Sequence, residues 1–579
     1  MNNLFLPSPC GEGSGERFNN KQMKQFKLTI LTALFFSGVA LLQAQGLQTV
    51  QAVPANDFLK SIGVNTSIDS RNEYFSNTKS CAAYLGFRYI RGASTGSKLI
   101  QSYQLFNQYH IRFSLMLGAS EGIADALEAG NEIVTKIDPD ALIAFEGPNE
   151  PNNWPITYNG IQGGGSSSYK QLAIYQRDFY AAVKADSVLK NYPVWSMTDG
   201  AGAQTGNFGL QFLTVPAGVG RGPNGVDASV ADGTAYDDVA CVHNYFSVGW
   251  LIGTNNWTWV GADPINGNNT LKTNFGVTWN KSFQGYSDAE LLTLPRVTTE
   301  TGTTIDGINV TEEIQGLTYL SCYLSQFKQG FQYTAIYILR DRTDESGNQT
   351  FGFYDGNYNP RLSAHYLHNM TTILADYPSI ETPGQLTYGI SAAANNPNPN
   401  ISTVHDLLLQ KNDGTMMLVI WDERYAHGAK SDTVQVDFGE TLNTVDVYSP
   451  AQYDAANPED GNKKPIATCT NTNQVKLTML NRPLILAIND PNSPTGVEKV
   501  EAVGTAVNIF PNPAVDNLYV GNPSCIKNYT VFDLSGRSVL SGAIPAAGRI
   551  DIASLSHGVY IIRFTKTDGN TESLKFVKL

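Results

Sequence analysis

A chain of 579 residues is too long for one domain at roughly 100–200 residues each, although an eight-stranded α/β barrel takes about 250 by itself. Hydrophobic content of 42% with 11% aromatic residues excludes disorder of the whole chain. The formal net charge of −13 repels phosphate backbones and excludes nucleic acid as the expected partner; a neutral, hydroxyl-rich one, bound by stacking and hydrogen bonds, fits better.

In chain order, Lys21, Lys24 and Lys27 precede an apolar stretch, Leu28 to Leu42, followed by Gln43-Ala44-Gln45. This order is that of a signal peptide, too short for a membrane span, with cleavage expected after Ala44. Residues 1–22 match no targeting element, and translation is expected to begin at Met23. No later segment approaches ~20 uninterrupted apolar residues, so no transmembrane segment is expected in the mature chain. Five cysteines follow the leader: Cys81, Cys241, Cys322, Cys469 and Cys525. An odd number at wide spacing argues for buried free thiols, with one bridge as the alternative, rather than a disulfide framework, and no CxxC pattern suggests a structural metal.

From residue 58 to 370, short apolar runs alternate with longer helical stretches. Expected strands are Ser61–Asn65, Phe87–Arg91, Arg112–Leu117, Ala141–Glu146, Val194–Met197, Val239–Tyr245, Arg296–Glu300 and Tyr333–Leu339. Helices are expected over Asp125–Ile137, Tyr169–Leu189 and Glu312–Gln329, the last behind an Asn309-x-x-Glu312 capping box. Eight such units predict a (β/α)8 TIM barrel, residues 45–375. Beyond it, Asp406–Gln410, Met416–Trp421, Thr433–Phe438, Val445–Tyr448 and Val475–Ile488 read as an all-β sandwich, 376–489. A linker at 490–504 leads to a small β-rich domain, 505–579, with strands at Leu518–Val520, Tyr529–Asp533, Val559–Phe564 and Leu574–Val577.

Glu150 closes the fourth run and Glu300 the seventh, each opening a polar loop. Catalytic side chains project from that end of a barrel. Two carboxylates far apart in sequence but facing one cleft are what glycoside hydrolysis requires, one as proton donor and one as nucleophile. Asn149-Glu150-Pro151 and Thr299-Glu300-Thr301-Gly302, with Arg91 ending the second run and His243-Asn244-Tyr245 the sixth, resemble glycoside hydrolase clan A. The resemblance covers residues 58–369. It implies a retaining enzyme with Glu150 as acid/base, its pKa raised by burial and by Glu300, and with Glu300 as nucleophile, kept ionised by Arg91 and Tyr245. Asn149 would meet the sugar 2-hydroxyl and His243 would shape the cleft floor. Many clan members place a Trp after strand eight; this chain has Tyr337, so Tyr337 or a loop residue would be the platform. Trp154, and Trp250, Trp257, Trp259 and Trp279 in the loop after strand six, are further stacking candidates.

Other features read more plainly. Glu146 is expected to pair structurally or touch substrate, and Glu312 and Glu313 to serve a helix dipole. His365 and His368 lack a third ligand, so no metal is expected, and no cofactor is needed. Gly163-Gly164-Gly165 and Gly200-x-Gly202 do not link strand to helix and read as mobile loops. The tail blocks Ile509-Phe510-Pro511-Asn512-Pro513, Val531–Arg537, Ser556–Tyr560 and Lys575–Leu579 resemble a type IX secretion sorting domain. That implies export by the type IX machinery and a secreted or cell-surface location. The expected function is retaining hydrolysis of extracellular polysaccharide, endo-acting with β-glucan foremost. The alternatives are an exo-acting glycosidase of β-xylosidase or arabinofuranosidase type, and a non-catalytic surface glycan-binding protein.

Overall fold

All eight runs form strands that pair in parallel in one sheet of a computed structural model. It describes residues 46–578 apart from 117–121, 166–169, 199–212, 216–229, 246–257, 260–287, 307–309, 343, 345–348, 395–400, 424–432, 453–463, 480–481, 490–506, 508, 511–513, 521–522, 524–525, 534–535, 546–547 and 568. The expected leader peptide, Trp250, Trp257, Trp279, the Gly200 loop and Cys525 therefore lie outside the described residues. The strands are β1 (Ile62–Asn65), β2 (Tyr89–Arg91), β3 (Arg112–Met116), β4 (Leu142–Glu146), β5 (Val194–Trp195), β6 (Ala240–His243), β7 (Arg296–Thr301) and β8 (Phe331–Ile336). Each pairs with its neighbour in sequence, and β8 returns onto β1. Between β5 and β6 the connection is a Trp195–Val239 bridge rather than a ladder.

Helices α1 (Ala55–Ser61), α2 (Phe75–Leu85), α3 (Leu99–Tyr109), α4 (Ile123–Lys136), α5 (Lys170–Ala185), α6 (Asp288–Thr293), α7 (Glu312–Lys328) and α8 (Leu362–Ile373) complete the described α/β part. Both faces of a parallel sheet are covered, which is why its strands read as nearly unbroken apolar runs. Phe145, for example, packs outward with Ile133 and Phe179. Inside, Tyr89, Ala144, Trp195, Cys241 and Val297 fill the barrel, and the Tyr89 ring meets Trp195 and Tyr333 edge-on at 6.1 and 5.4 Å. Side chains two residues apart share a strand face. Arg91 and Glu146 therefore stand one layer above Tyr89 and Ala144, over a closed floor.

The cap of α7 differs from expectation. Thr311 is the N-cap, its hydroxyl accepting from the Ile314 amide at 3.2 Å, while Asn309 lies outside the described residues. The cap is the residue whose oxygen reaches the third amide of the helix, and Thr311 meets that spacing. Glu312 and Glu313 do more than serve the dipole: they pair with Arg361 and Arg482 at 2.7 and 2.8 Å.

The sandwich strands are β9 (Gln385–Ala392), β10 (Val404–Gln410), β11 (Met416–Asp422), β12 (Thr433–Tyr448), β13 (Ala467–Thr478) and β14 (Leu484–Asn489). Gln48–Gln51 adds to β9 and Val53–Pro54 to β10, so residues ahead of the barrel extend this sheet. Two expected strands are one: β12 pairs first with β9 and then, past residue 443, with β14. The expected run Val475–Ile488 is instead split between β13 and β14. Strand β11 is buried along its whole length. Leu418 and Ile420 face the sandwich core, while Met417, Val419 and Trp421 join the cluster that contains Leu320 and Tyr323 of α7. Each such side chain removed from water contributes roughly 1.5–3 kcal/mol. This shared face fixes the sandwich against the barrel helices.

The last part of the chain has two small sheets, one of Ile509–Phe510, Asn517–Val520 and Arg549–Asp551, the other of Ser538–Ala543, Ile526–Phe532, Gly558–Lys566 and Thr571–Lys578. Leu518, Val531, Ile550, Ile562, Phe564 and Phe576 form the core between them. Cys81, Cys241, Cys322 and Cys469 are free thiols. Among the described residues no helix is long and apolar enough to cross a membrane.

Candidate active site

Arg91, the last residue of β2, organises the barrel mouth. Its Nε and Nη2 donate to Glu146 Oε2 and Oε1 at 2.8 and 2.6 Å, Nη2 also to Asn149 Oδ1 at 2.8 Å, and Nη1 to Glu300 Oε1. Burial alone would lower the guanidinium pKa, but Glu146 and Glu300 outweigh it and push it well above the usual arginine range. The structural reading of Glu146 holds: it is 0% exposed, and the Thr299 hydroxyl also donates to it at 3.0 Å.

Strict alternation along β7 cannot place both Thr299 and Glu300 inside the barrel. Thr299 nevertheless bonds Glu146, and Glu300 bonds Arg91, so two consecutive side chains point inward. The ladders of β7 with β6 and β8 lose register at this end, and such irregularities re-aim side chains at functional sites. Gly302 follows at φ +148, where a Cβ would lie 2.9 Å from the Tyr337 carbonyl oxygen, so the turn out of the strand requires glycine.

Glu300 Oε2 accepts from the Tyr245 hydroxyl at 2.7 Å. Glu150 sits at φ +40, a left-handed conformation that costs a non-glycine residue of order 1–3 kcal/mol and collects at functional sites. Its amide donates to the Thr198 carbonyl at 3.0 Å, and its carboxylate accepts from Asn153 Nδ2 at 2.9 Å. His243 Nδ1 lies 2.8 Å from Glu150 Oε1 and 3.6 Å from Glu300 Oε2. Here the sequence expectation needs correction. Burial pushes the Glu150 carboxyl up, but the hydrogen bond and positive charge of His243, with Asn153 and Arg91, overcome it and bring it to about 2. Glu150 in this arrangement is a carboxylate bonded to an imidazole N–H.

An oxygen of Glu150, one of Glu300 and a ring nitrogen of His243 lie within 4.8 Å of one another. Three such donors could hold a metal ion, although the Arg91 guanidinium against Glu300 repels a cation there. His365 and His368 have other partners: Tyr84 OH bonds His365 Nδ1 at 2.7 Å, and the Tyr84 carbonyl bonds His368.

A cleft of about 630 Å³ opens above these groups, lined by Arg91, Asn149, Glu150, Trp154, Tyr245, Glu300 and Tyr337. His243 lies beneath it, fully buried, in contact with Glu150. Trp154 is 55% exposed, and the Tyr337 ring stands edge-on to Tyr245 and Phe351 at 6.2 and 5.8 Å. Trp259 is elsewhere: it stacks on His405 at 4.0 Å beside Trp421, between barrel and sandwich, and offers no sugar platform. Gly163 ends a short hairpin, Ile156–Tyr158 with Ile161–Gly163, rather than lying in a plain loop. Sequence reasoning missed Asn153, Arg71, Arg342 and Gln349 in the wall. Asn153 could have been found as the residue three beyond Glu150 in one tight turn; the others carry no local signal.

Residues 508–578 match the family model described as a secretion system C-terminal sorting domain. No curated protein matches the chain in sequence. Among solved structures, a family 39 glycoside hydrolase from the gut symbiont Bacteroides cellulosilyticus WH2 is 13% identical, with 76% of this chain and 82% of that one covered at a TM-score of 0.45. A Ruminococcus gnavus β-glucuronidase is 14% identical over 53% of this chain and 51% of that one, TM-score 0.33. A Dictyoglomus thermophilum β-D-glucuronidase is 14% identical over 53% and 48%, TM-score 0.32. The chain thus spans about half the length of these two glucuronidases. Likenesses of this size leave the reaction to be read from the side chains. The C-terminal match is of another kind: the chain ends in a secretion-system sorting domain, which supports secretion or a cell-surface location.

Proposed function

We propose that the protein is a glycoside hydrolase that cleaves extracellular polysaccharide or oligosaccharide with retention, after export by the type IX machinery. The observation that carries this reading is the approach of Glu150 and Glu300, with carboxylate oxygens within 4.8 Å, at the C-terminal ends of β4 and β7 below an open cleft. Retaining enzymes hold the pair about 5–5.5 Å apart, and inverting ones about 6.5–9.5 Å, to admit a water.

Glu300, charge-balanced by Arg91 and bonded by Tyr245, attacks the anomeric carbon while the departing oxygen takes a proton from Glu150. Glu150 then activates water to release the glycosyl-enzyme. A proton must reach Glu150 for the first step. A sugar seated over the carboxylate strips its remaining water and moves its pKa upward, the first proton comes from solvent through the open cleft, and the water split in the second step returns one to Glu150 in each cycle. Asn149 Oδ1 is held by Arg91, which turns the amide NH2 into the group a sugar hydroxyl can meet. Trp154 and Tyr337 supply apolar faces. An endo-acting β-glycanase fits an open cleft, with β-glucan the first substrate to try.

Glu150→Gln and Glu300→Gln test this on a glycan panel with product analysis. Each should lower turnover by roughly 10²–10⁴-fold or more with folding unchanged. Wild-type rates in both variants would end the proposal. Mixed oligomeric products indicate endo action, and a single monosaccharide exo action.

A further inference from the structure

We propose that the protein acts on a branched glycan, whose side-chain sugar occupies a second chamber opening from the cleft beyond β2 and β3; this rests on the glycosidase reading above. The chamber has a volume of about 550 Å³ and shares Thr66, Ser67, Ser70, Arg91 and Met116 with the cleft. Both spaces fall in the range of roughly 300–1,000 Å³ that small-molecule sites occupy. Each therefore has room for a sugar ring, and the shared wall lets one molecule enter both.

The place of the chamber around the barrel decides which part of a glycan can enter it. Neighbouring strands of a closed eight-stranded sheet stand roughly 45° apart around the axis. Strands β4 and β8 are therefore opposite, and the cleft carries Asn153 and Trp154 from beyond the one and Arg342 and Gln349 from beyond the other. A backbone spanning these walls crosses the barrel mouth and passes Glu150 and Glu300. Strand β2 stands a quarter turn from both. The chamber is lined by Ala93, Ser94 and Thr95 beyond β2 and by Leu115 at the end of β3. A group that enters it leaves the line of the backbone sideways, at Arg91, as a substituent does.

Small residues keep the chamber open. Gly92 turns the chain at φ +103 straight after Arg91, and Ala93 follows it. Helix α4 contributes Ala126 and Ala129, three residues apart and so on one side of the helix. Protein interiors close-pack, and longer side chains at these positions would fill the space. The rest of the wall mixes the hydroxyls of Ser67, Ser70, Ser94 and Thr95 with the apolar Ile68 and Met116, a surface that suits the hydroxyls and C–H face of a sugar. Ser67 and Ser70, at the junction, belong to a turn held against backbone preference. Asp69, Arg71 and Asn72 adopt φ of +53, +52 and +62, each costly for a residue with a side chain. The Ser70 hydroxyl donates to the Ser67 carbonyl at 2.9 Å, and the Ser67 amide donates to the buried Glu73 carboxylate at 2.9 Å, which holds the turn. Strain of this kind collects where ligands are clamped.

The test uses the full chain carrying Glu300→Gln. Calorimetry compares xylosylated cello-oligosaccharides, arabinosylated xylo-oligosaccharides and galactosylated manno-oligosaccharides, each against its unbranched backbone of equal length. At least one branched member should bind about tenfold more tightly than its linear partner. Thr95 has an extended backbone at φ −129, which any residue adopts, and its side chain borders the chamber. Thr95→Trp and, from the α4 wall, Ala129→Leu should each abolish the advantage and leave binding of the linear partner unchanged, which also shows that the variants fold. Equal binding of branched and linear members in every pair overturns the proposal, as does an advantage that survives both variants. Equal weakening of both members by Thr95→Trp overturns it too, since the chamber then holds backbone. Wild-type turnover separates the two readings. Hydrolysis with no preference for a branch leaves the glycosidase standing and removes this proposal. Branch-dependent binding that Thr95→Trp abolishes, with no hydrolysis of any probe, does the reverse.

Discussion

His243 Nδ1 stands between the two carboxylates, 2.8 Å from Glu150 and 3.6 Å from Glu300. The imidazole favours the ionised form of the proposed acid/base residue, against the expectation from burial alone. Substitution of His243 by Phe removes the two largest influences that lower the Glu150 pKa and keeps the desolvation that raises it. Glu150 should then titrate higher than its present value of about 2. Infrared difference titration of the carboxyl band checks this, and an unmoved titration refutes the assigned cause.

The same depression predicts an acid-stability effect. A carboxyl whose folded pKa lies below its unfolded one adds stability that is complete above the unfolded value and is lost as pH falls through the folded one. For Glu150 the window runs from roughly pH 4.3 down to about 2. Thermal denaturation across it should fall less steeply for Glu150→Gln than for wild type.

Arg91 serves four acceptor atoms on Glu146, Asn149 and Glu300. Arg91→Met leaves two buried carboxylates without their cation and should cost about 3–5 kcal/mol in urea denaturation. Arg91→Lys offers one point charge in place of a planar fork and should restore part of the stability but little activity. Equal stability of wild type and Arg91→Met would contradict the network.

Trp154→Ala separates binding from folding. The ring is mostly exposed, so stability should stay within about 0.5 kcal/mol. Loss of a stacking face should raise KM by roughly five- to tenfold with kcat little changed. An unchanged KM would remove Trp154 from the substrate site.

Glu423 ties the barrel to the sandwich. Its buried carboxylate accepts from the Thr258 and Ser325 hydroxyls, the Trp259 amide at 2.8 Å and Trp421 Nε1 at 3.1 Å. Glu423→Leu strands these donors and should cost about 3 kcal/mol or more, whereas Glu423→Gln, which keeps an acceptor, should cost less. Chemical denaturation followed by tryptophan fluorescence distinguishes the two variants.

Local pattern made the strands of the barrel legible, because a sheet covered on both faces leaves unbroken apolar runs such as Ala141–Glu146. The carboxylates were legible for a related reason: strand ends and Asn-Glu-Pro are local features. Strand β9 was not read, although Leu386, Tyr388 and Ile390 alternate with polar residues and a glycine as a half-buried strand does. The addition of Gln48–Gln51 to that strand, more than 300 residues away, has no sequence signature at all. Trp259 shows the limit most clearly, since an aromatic in a loop rich in tryptophan looks like a sugar platform until the sandwich is seen to cover it.

The chain by itself determined the barrel, the trailing β domains, the two glutamates and the C-terminal sorting domain, since each depends on side chains close together in sequence. Tertiary structure alone decided that His243 bonds Glu150 and that Arg91 is shared between Glu146 and Glu300. These partners are brought together from 55 to 209 residues apart. Charge and hydrogen bonding act over a few ångströms of space, and sequence separation does not measure that distance.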